Sequence, residues 1–353
     1  MHRFDRIALT LIAVLSLALL GLALWAARPQ NAPTVAERLG YLVADTEGGT
    51  QVWQLEWDTG QTRQLAHLPG SVLHYAVAPR GIRTADAAIV YPVERTDGGH
   101  DLWIVNTKRA QGQLWLVCAP DDCVDVAWSP DGEGAAYTRI TTGAPSLWWI
   151  DNATKETQPL FGSTPLQGRY AAWSPDGLRL AYVDPAGQVC VVSLASGETL
   201  CIPAGMDAPP VWSPDGESLL VTDMRLGTGF VSHILQVDVT SGVFVDLSDD
   251  FNVEDDAPAW SPDGEWIAFR RQAAGAAMGK QVWLMRADGS NAHTLTPDYK
   301  HYYGPPIWSV DGKMLLAARY SAEGAEGIWS IAVATDTIQQ VIPKGYLPHR
   351  LSD

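Results

Sequence analysis

Five aspartates at nearly even spacing are the first residues of this chain that suggest chemistry. Each lies directly before a glycine, and steps of 45, 39, 48 and 48 residues separate Asp131, Asp176, Asp215, Asp263 and Asp311. A carboxylate can act as a general acid or base. A residue that is required once in every repeat is, however, typical of a fold rather than of one active site. We therefore interpret these aspartates as structural.

The pentapeptide around each aspartate predicts a tight hairpin turn. Its form is Trp-Ser-Pro-Asp-Gly, with Val in place of Pro in the last copy, and a degenerate copy, Val-Ala-Pro-Arg-Gly, lies at 77–81. Pro presets φ for the first central position of a type I turn, Asp suits the next position, and Gly takes the left-handed residue that closes the hairpin. Apolar residues flank each copy on both sides, so each copy is expected to join two β-strands.

Repetition with a period in the forties, with short strands in every unit, is typical of a β-propeller. Six units carry the first-strand motif, at 71–118, 123–162, 168–204, 208–249, 255–298 and 303–343. A further unit at 39–68 lacks a first strand, and the spare C-terminal segment 346–351 is expected to supply it and close the ring. The sequence therefore predicts an all-β, seven-bladed β-propeller over residues 39–353, with six blades as the alternative.

An apolar segment precedes the repeats. Residues 7–27 carry no charge and follow a short basic start, which fits a single transmembrane helix with a cytoplasmic N-terminus. We expect a signal anchor at 1–27, a linker at 28–38, and a propeller held by the membrane in the periplasm or outside the cell. The alternative is a secreted protein, cleaved near Gly-Leu-Ala at 21–23.

The four cysteines form two local pairs. Cys118 and Cys123 flank Ala-Pro-Asp-Asp, and Cys190 and Cys201 lie at facing places across a predicted hairpin. An even count with local pairs predicts two disulfide bonds in an oxidising compartment, with four free thiols as the alternative. No His or Asp lies at ligand spacing beside either pair, so no zinc site is predicted.

Composition and motifs exclude several classes of function. The net charge of −16 makes nucleic acids and anionic lipid surfaces poor partners. The chain has no Gly-x-Ser-x-Gly elbow, His-Glu-x-x-His pair, phosphate loop or Cys-x-x-Cys motif. We therefore predict no catalytic residue, no metal site and no cofactor.

The repeat also resembles that of a known family. The segment Asp-Ala-Pro-Ala-Trp-Ser-Pro-Asp-Gly-Glu-Trp-Ile-Ala-Phe at 256–269 resembles the repeat of the TolB family of exported, WD-repeat-like β-propellers, and the resemblance extends over 71–343. It implies a periplasmic, non-enzymatic protein that works through protein–protein contacts. We expect a TolB-like propeller that lacks the additional N-terminal α/β domain of TolB itself.

Two links between blades carry the residues that we expect to bind a partner. The turns with the repeated motif all emerge on one face, whereas the blade-to-blade links emerge on the other and vary in content, as functional loops do. The predicted anchors are Tyr299, Tyr302, Tyr303 and Phe251, and the predicted acidic rim is Asp250, Glu254 and Asp255. The alternative is that these tyrosines only cap the blades. The acidic link at 246–256 could also hold calcium, but its spacing is not that of an EF-hand, and a solvated loop is preferred.

These features predict a monomeric, membrane-tethered propeller that binds a protein or peptide partner in the cell envelope. The alternative is a propeller hydrolase or lyase with a polar active site in the central channel. A cluster of histidines and carboxylates with a metal in that channel would favour the enzyme.

Overall fold

The architecture follows from a computed structural model, which describes residues 38–44, 49–70, 72, 74–79, 88–203, 208–226, 230–276 and 279–351. These residues form thirty strands, and none of them belongs to a helix of the length and apolarity that a membrane span requires. The predicted anchor at 1–27 and all but the last residue of the predicted linker lie outside the described residues.

The strands are numbered in chain order, and each blade is given from its innermost to its outermost strand. Blade 1 contains β30 (Tyr346–Leu351), β1 (Arg38–Ala44), β2 (Thr50–Glu56) and β3 (Thr62–Leu68). Blade 2 contains β4 (Ala76–Val77), β5 (Ala88–Glu94), β6 (His100–Asn106) and β7 (Gln111–Leu116). Blade 3 contains β8 (Asp122–Trp128), β9 (Gly134–Ile140), β10 (Ser146–Asp151) and β11 (Thr157–Pro159), and β12 (Leu166–Gln167) also pairs with β10.

The remaining blades follow the same order. Blade 4 contains β13 (Arg169–Trp173), β14 (Arg179–Val183), β15 (Val189–Ser193) and β16 (Thr199–Ile202). Blade 5 contains β17 (Val211–Trp212), β18 (Ser218–Leu226), β19 (Phe230–Asp238) and β20 (Phe244–Asp246). Blade 6 contains β21 (Val253–Trp260), β22 (Trp266–Ala273), β23 (Gln281–Arg286) and β24 (His293–Thr294). Blade 7 contains β25 (Tyr302–Tyr303) and β26 (Ile307–Trp308), which both pair with β27 (Met314–Ser321), then β28 (Gly324–Ala332) and β29 (Thr337–Ile342).

The seven-bladed prediction is confirmed, and the C-terminal strand completes blade 1. β30 runs antiparallel to β1, with Gly40 opposite His349. A Cβ atom on Gly40 would lie 2.8 Å from Cδ2 of the buried Leu351, so glycine lets the two strands pack closely. Tyr75 of blade 2 donates its hydroxyl to the carbonyls of Gly40 and Leu347 at 2.9 and 2.7 Å, which ties the closing strand to the next blade.

The repeated motif forms the same turn in each of blades 3–7. The serine hydroxyl donates to the aspartate Oδ1 at 2.5–2.8 Å, and the glycine has a φ between 64° and 75°. Such a φ favours glycine because it has no Cβ. We call the end of the propeller with these turns the turn face. The opposite end, where the blade-to-blade links emerge, is the link face.

Tryptophan at the start of the motif joins neighbouring blades. The indole nitrogens of Trp173, Trp212 and Trp308 each donate to a carbonyl of the preceding blade's inner strand, at 3.1, 2.9 and 3.0 Å. The apolar core likewise lies between blades, where side chains of one sheet pack on the next. Disulfide bonds join Cys118 to Cys123 and Cys190 to Cys201, as predicted.

Candidate functional site

The predicted aromatic anchors lie in the links that enter blades 6 and 7. Phe251, Tyr299 and Tyr302 are 53, 58 and 39% exposed. Among the described residues, the other Phe or Tyr with a comparably exposed side chain is Phe244, on the outer edge of blade 5. Exposed aromatic side chains are therefore concentrated on this part of the link face.

Two of these aromatic side chains, Phe251 and Tyr302, pack against neighbouring residues. The ring of Phe251 lies 5.4 Å from that of the buried His233 in blade 5. Tyr302 stacks on Tyr320 of blade 7 with 5.2 Å between ring centroids and 15° between planes. A Cβ atom on Gly279 of blade 6 would meet the Cβ of Tyr302 at 2.3 Å, so the glycine permits Tyr302 to lie against the chain. Phe251 and Tyr302 are therefore each held in place by packing.

The acidic residues at this surface are positioned by local hydrogen bonds. Glu254 accepts from Nε2 of Gln272 at 2.7 Å and from the backbone nitrogen of Gly275 at 3.2 Å. Asp250 accepts from the backbone nitrogen of Asn252 at 2.9 Å, and this bond lowers the pKa of its exposed carboxyl. Asp250 adjoins Phe251 in the link and is held in its charged form, and Glu254 follows three residues after Phe251, near the start of β21.

Two of the predicted residues, Tyr303 and Asp255, lie beneath the surface. The side chain of Tyr303 is buried in the core, and burial raises the pKa of its phenol. Asp255 is 0% exposed and accepts two bonds from Arg271, at 2.7 and 2.6 Å, and one from Ser248 at 2.6 Å. Both residues support the link face from within and offer no contact area to a partner.

Most of the acidic link is already compensated by neighbouring donors. Asp246 contacts Nδ1 of His233 at 2.8 Å. Asp256 accepts two bonds from Arg270, at 2.7 and 2.9 Å, and lies 3.1 Å from the Lys280 nitrogen. These pairings use oxygens that a calcium ion would need. In the part of the chain that the structure describes, one group of His, Cys and carboxylate side chains is close enough to share a metal. It is Asp184, Cys190 and Cys201, and its two sulfurs already form a disulfide bond.

The mouth of the central channel holds a second polar site, which the sequence analysis missed. The inner strands β8, β13 and β21 each shift register three residues before the motif tryptophan. Asp125, Tyr170 and Ala257 occupy this bulge with φ of 52°, 58° and 49°. A bulge of this kind re-aims a side chain. Position-by-position comparison of the repeats would have drawn attention to these residues.

Residues from four successive blades enclose a cavity of about 610 Å³ at this place. Its lining includes His74 and Tyr75 of blade 2, Asp122, Val124, Asp125, Val126 and Ile140 of blade 3, Arg169, Tyr170 and Ala171 of blade 4, and Pro209 of blade 5. The Asp125 backbone nitrogen donates to Nε2 of His74 at 3.0 Å, and Nε of Arg169 lies 3.4 Å from Oδ2 of Asp125. The Arg169 guanidinium carbon lies 4.2 Å from the centroid of the Tyr170 ring.

Burial dominates the electrostatics of this channel site. It raises the pKa of Asp125, and the nearby charges of Arg169 and His74 offset the effect only in part. Burial also lowers the pKa of His74, and His100 and Arg169 add to this shift. Titratable groups whose pKa values are shifted by desolvation and by specific charged neighbours, and which lie in a cleft, are candidates for a functional site. The cavity can therefore receive a polar ligand group.

Known structures share this architecture at low sequence identity. TolB from Acinetobacter baumannii is 17% identical, with 89% of this chain and 82% of that chain covered and a TM-score of 0.53. A puromycin-hydrolyzing peptidase of Mycobacterium tuberculosis is 15% identical, with 87% and 54% covered and a TM-score of 0.64. Oligogalacturonate lyase from Vibrio parahaemolyticus is 12% identical, with 88% and 85% covered and a TM-score of 0.57. These likenesses show the fold alone, and this chain spans about half of the peptidase's length.

A family model provides the more specific relationship. No curated protein matches the chain. The model of the TolB beta propeller domain matches residues 169–350, just over half of the chain, and this range contains four of the motif copies. Motif, seven-bladed ring and family model thus agree, and the chain belongs to the TolB β-propeller domain family.

Proposed function

We propose that this propeller is a non-catalytic binding module of the cell envelope, which takes up a protein or peptide partner on its link face. The exposure of Phe251, Tyr299 and Tyr302 in the links that enter blades 6 and 7, with Asp250 and Glu254 close to Phe251 in the chain, is the observation that carries this proposal. Exposed aromatic residues cost solubility unless they serve contact, and Tyr supplies contact area and a polar tip at low entropic cost. Tyr303 and Asp255 serve as its buried supports.

The location of the propeller follows from its chemistry. Two disulfide bonds are typical of a protein in an oxidising space, and with the TolB-like fold they indicate the periplasm or the cell exterior. We propose that the apolar segment at 7–27 tethers the propeller to the membrane. The net charge of −16 opposes contact between two copies, so the proposed module is a monomer.

The alternative is an enzyme with its active site in the channel, because a peptidase and a lyase share the fold. The described lining of the channel cavity includes no serine or cysteine that could act as a nucleophile. Nε2 of His74, which a general base would use, already accepts the Asp125 backbone proton. This arrangement favours binding over catalysis.

Site-specific photo-crosslinking in the cell that makes the protein tests the proposal. A photoreactive phenylalanine derivative replaces Tyr302 in one variant and Leu178 in the other. Leu178 is 63% exposed and follows a motif turn, so it is the matched position on the turn face. We expect a discrete protein adduct from position 302 and none from position 178.

Two further variants distinguish a partner from a random neighbour. Phe251→Ala and Tyr299→Ala remove aromatic area that lies outside the core, so the propeller is expected to fold normally and the adduct at position 302 to weaken several-fold. An adduct that appears equally at both positions, or that neither alanine variant reduces, would contradict the proposed surface.

A further inference from the structure

We propose that the cavity at the mouth of the channel is a separate binding site, which receives an organic cation such as the ammonium or guanidinium group of a peptide side chain. The site lies on blades 2–5 and does not depend on the aromatic surface of blades 5–7. Its evidence is the pattern of residues around the ring, the incomplete pairing of a buried carboxylate, and the sign of the nearby charges.

The channel position that the bulge presents changes from blade to blade. It carries His74, Asp125 and Tyr170 in blades 2, 3 and 4, where the three polar side chains follow one another around the ring. The equivalent residues in the other blades are apolar, namely Pro209, Ala257, Pro305 and Leu347. A position required by the fold would carry the same chemistry in every blade. Polar residues on one arc of the channel therefore indicate recognition.

Two buried aspartates of this propeller differ in how well they are paired. Asp255, 0% exposed, receives two bonds from Arg271 at 2.7 and 2.6 Å and a third from Ser248. The Asp125 side chain is 9% exposed, and its nearest guanidinium nitrogen, on Arg169, lies 3.4 Å away. The Thr138 hydroxyl and the Arg169 guanidinium are close enough to lower the pKa of this carboxyl, but the buried Oδ2 accepts no well-formed hydrogen bond from the described residues. Charge-assisted bonds are normally about 2.7–2.9 Å long. The Asp125 charge is therefore incompletely compensated.

The remaining charges around the cavity favour a cation. Asp122 is a second carboxylate in the lining, bonded to the His100 backbone at 2.7 Å and to its Nδ1 at 3.0 Å, and it stays partly exposed. Burial lowers the pKa of His74, so its imidazole offsets the Asp125 charge only in its protonated form. The described lining thus holds two carboxylates, Asp122 and Asp125, and one guanidinium, that of Arg169. A cation at the mouth would contact Asp122 directly and lie in the field of Asp125.

Other ligand classes fit this site less well. A metal ion would need imidazole and carboxylate atoms that converge, but Nε2 of His74 is occupied by the Asp125 backbone and a guanidinium stands beside the carboxylate. An anion would meet two carboxylates. The ring of Tyr170, already stacked with one guanidinium, offers a second feature that suits an organic cation.

Calorimetric titration of the full chain at low salt tests this site. The probe is the capped pentapeptide Ala-Ala-Lys-Ala-Ala, and its control is the same peptide with an acetylated lysine. We expect the cationic peptide to bind and the acetylated peptide to bind about tenfold more weakly, because the ammonium charge is lost.

Isosteric variants assign the binding to the cavity. Asp125→Asn keeps a residue type that tolerates the positive φ, and we expect it to weaken binding about tenfold. Asp122→Asn, at the more exposed carboxylate, is the second variant and does not depend on the buried position. Glu198→Gln removes one charge from an exposed turn of blade 4 and controls for attraction to the net charge.

The outcomes are separable. Weaker binding in both cavity variants, with Glu198→Gln unchanged, supports the site. The proposal is overturned if the intact chain does not bind the cationic peptide, if the acetylated peptide binds equally, or if Glu198→Gln weakens binding as much as the cavity variants do.

Discussion

On the turn face, the aspartate of each motif is bound in the same way from blade 3 to blade 7, whereas at the channel mouth the equivalent positions carry different residues. Asp176 accepts from Ser174 at 2.5 Å and from the Leu178 backbone at 2.9 Å, and these bonds lower its pKa. Asp125 has a raised pKa because burial outweighs its partners. The same residue type thus serves the fold at one end and is left incompletely paired at the other.

This difference separates fold positions from functional positions. A contact that recurs in every blade contributes to stability in each blade, so its loss is felt as unfolding free energy. When a residue type occurs at the equivalent position of one blade only, a repeated contribution to stability does not explain it. The comparison predicts that motif and core variants change stability, whereas link-face and channel variants change binding.

The largest expected effect is at the strand that closes the ring. Leu351→Ala removes a buried side chain from between β30 and β1 and should lower the free energy of unfolding by about 2–5 kcal/mol. Phe251→Ala, on the exposed link face, should change it by less than about 0.5 kcal/mol. Chemical denaturation measures both. Similar losses of unfolding free energy in the two variants would contradict the distinction between the core and the link face.

The two classes of aspartate should respond in opposite ways to substitution. Asp176→Ala removes the carboxylate that accepts from Ser174, whose hydroxyl can still donate to the Arg179 carbonyl at 3.0 Å, and should cost about 0.5–1.5 kcal/mol at pH 7. Because the folded pKa of Asp176 is lowered, this contribution is present above the ordinary carboxyl pKa and is lost as the pH falls through the folded value. The stability difference from the unmodified chain should therefore shrink in acid.

Asp125→Asn should leave the chain at least as stable at pH 7, since the charged form of Asp125 is disfavoured by burial. Its folded pKa is raised, so the unmodified chain becomes relatively more stable as the pH falls through that value. Denaturation at several pH values measures both variants. If Asp125→Asn loses as much stability at pH 7 as Asp176→Ala does, both aspartates stabilise the fold, and the distinction between them is wrong.

The smallest expected effect concerns two motif tryptophans that differ in one hydrogen bond. Trp308 and Trp128 are both buried, but the Trp308 indole donates to the Ala259 carbonyl at 3.0 Å, whereas that of Trp128 finds no acceptor among the described residues. Trp308→Phe should therefore cost about 1 kcal/mol more than Trp128→Phe. Thermal and chemical unfolding of the pair measure this difference. Equal losses would show that the indole bond between blades adds nothing to packing.

Much of the fold could be predicted from the sequence because the same turn motif recurs in successive blades. The motif specifies a turn by the φ preferences of Pro and Gly and by a serine–aspartate bond within three residues, so each copy predicts its own structure. The number of blades and both disulfide pairs followed from counting and from short separations. Partner binding through the link face stays a prediction.

The burial of individual side chains and the position of the channel site depend on packing between distant residues, which the motif does not predict. Asp255 and Tyr303 look like surface residues in the sequence, but Arg271 and the core of blade 7 enclose them. The channel site depends on bulges in the inner strands β8 and β13, and on the packing of the neighbouring blades 2, 3 and 4, which brings His74, Asp125 and Arg169 together. The sequence by itself determined the repeat and its turns, because these depend on neighbours along the chain. Only the packing of neighbouring blades determined which charges meet in the channel and which are compensated, because burial and pairing depend on residues that are some 40–50 positions apart.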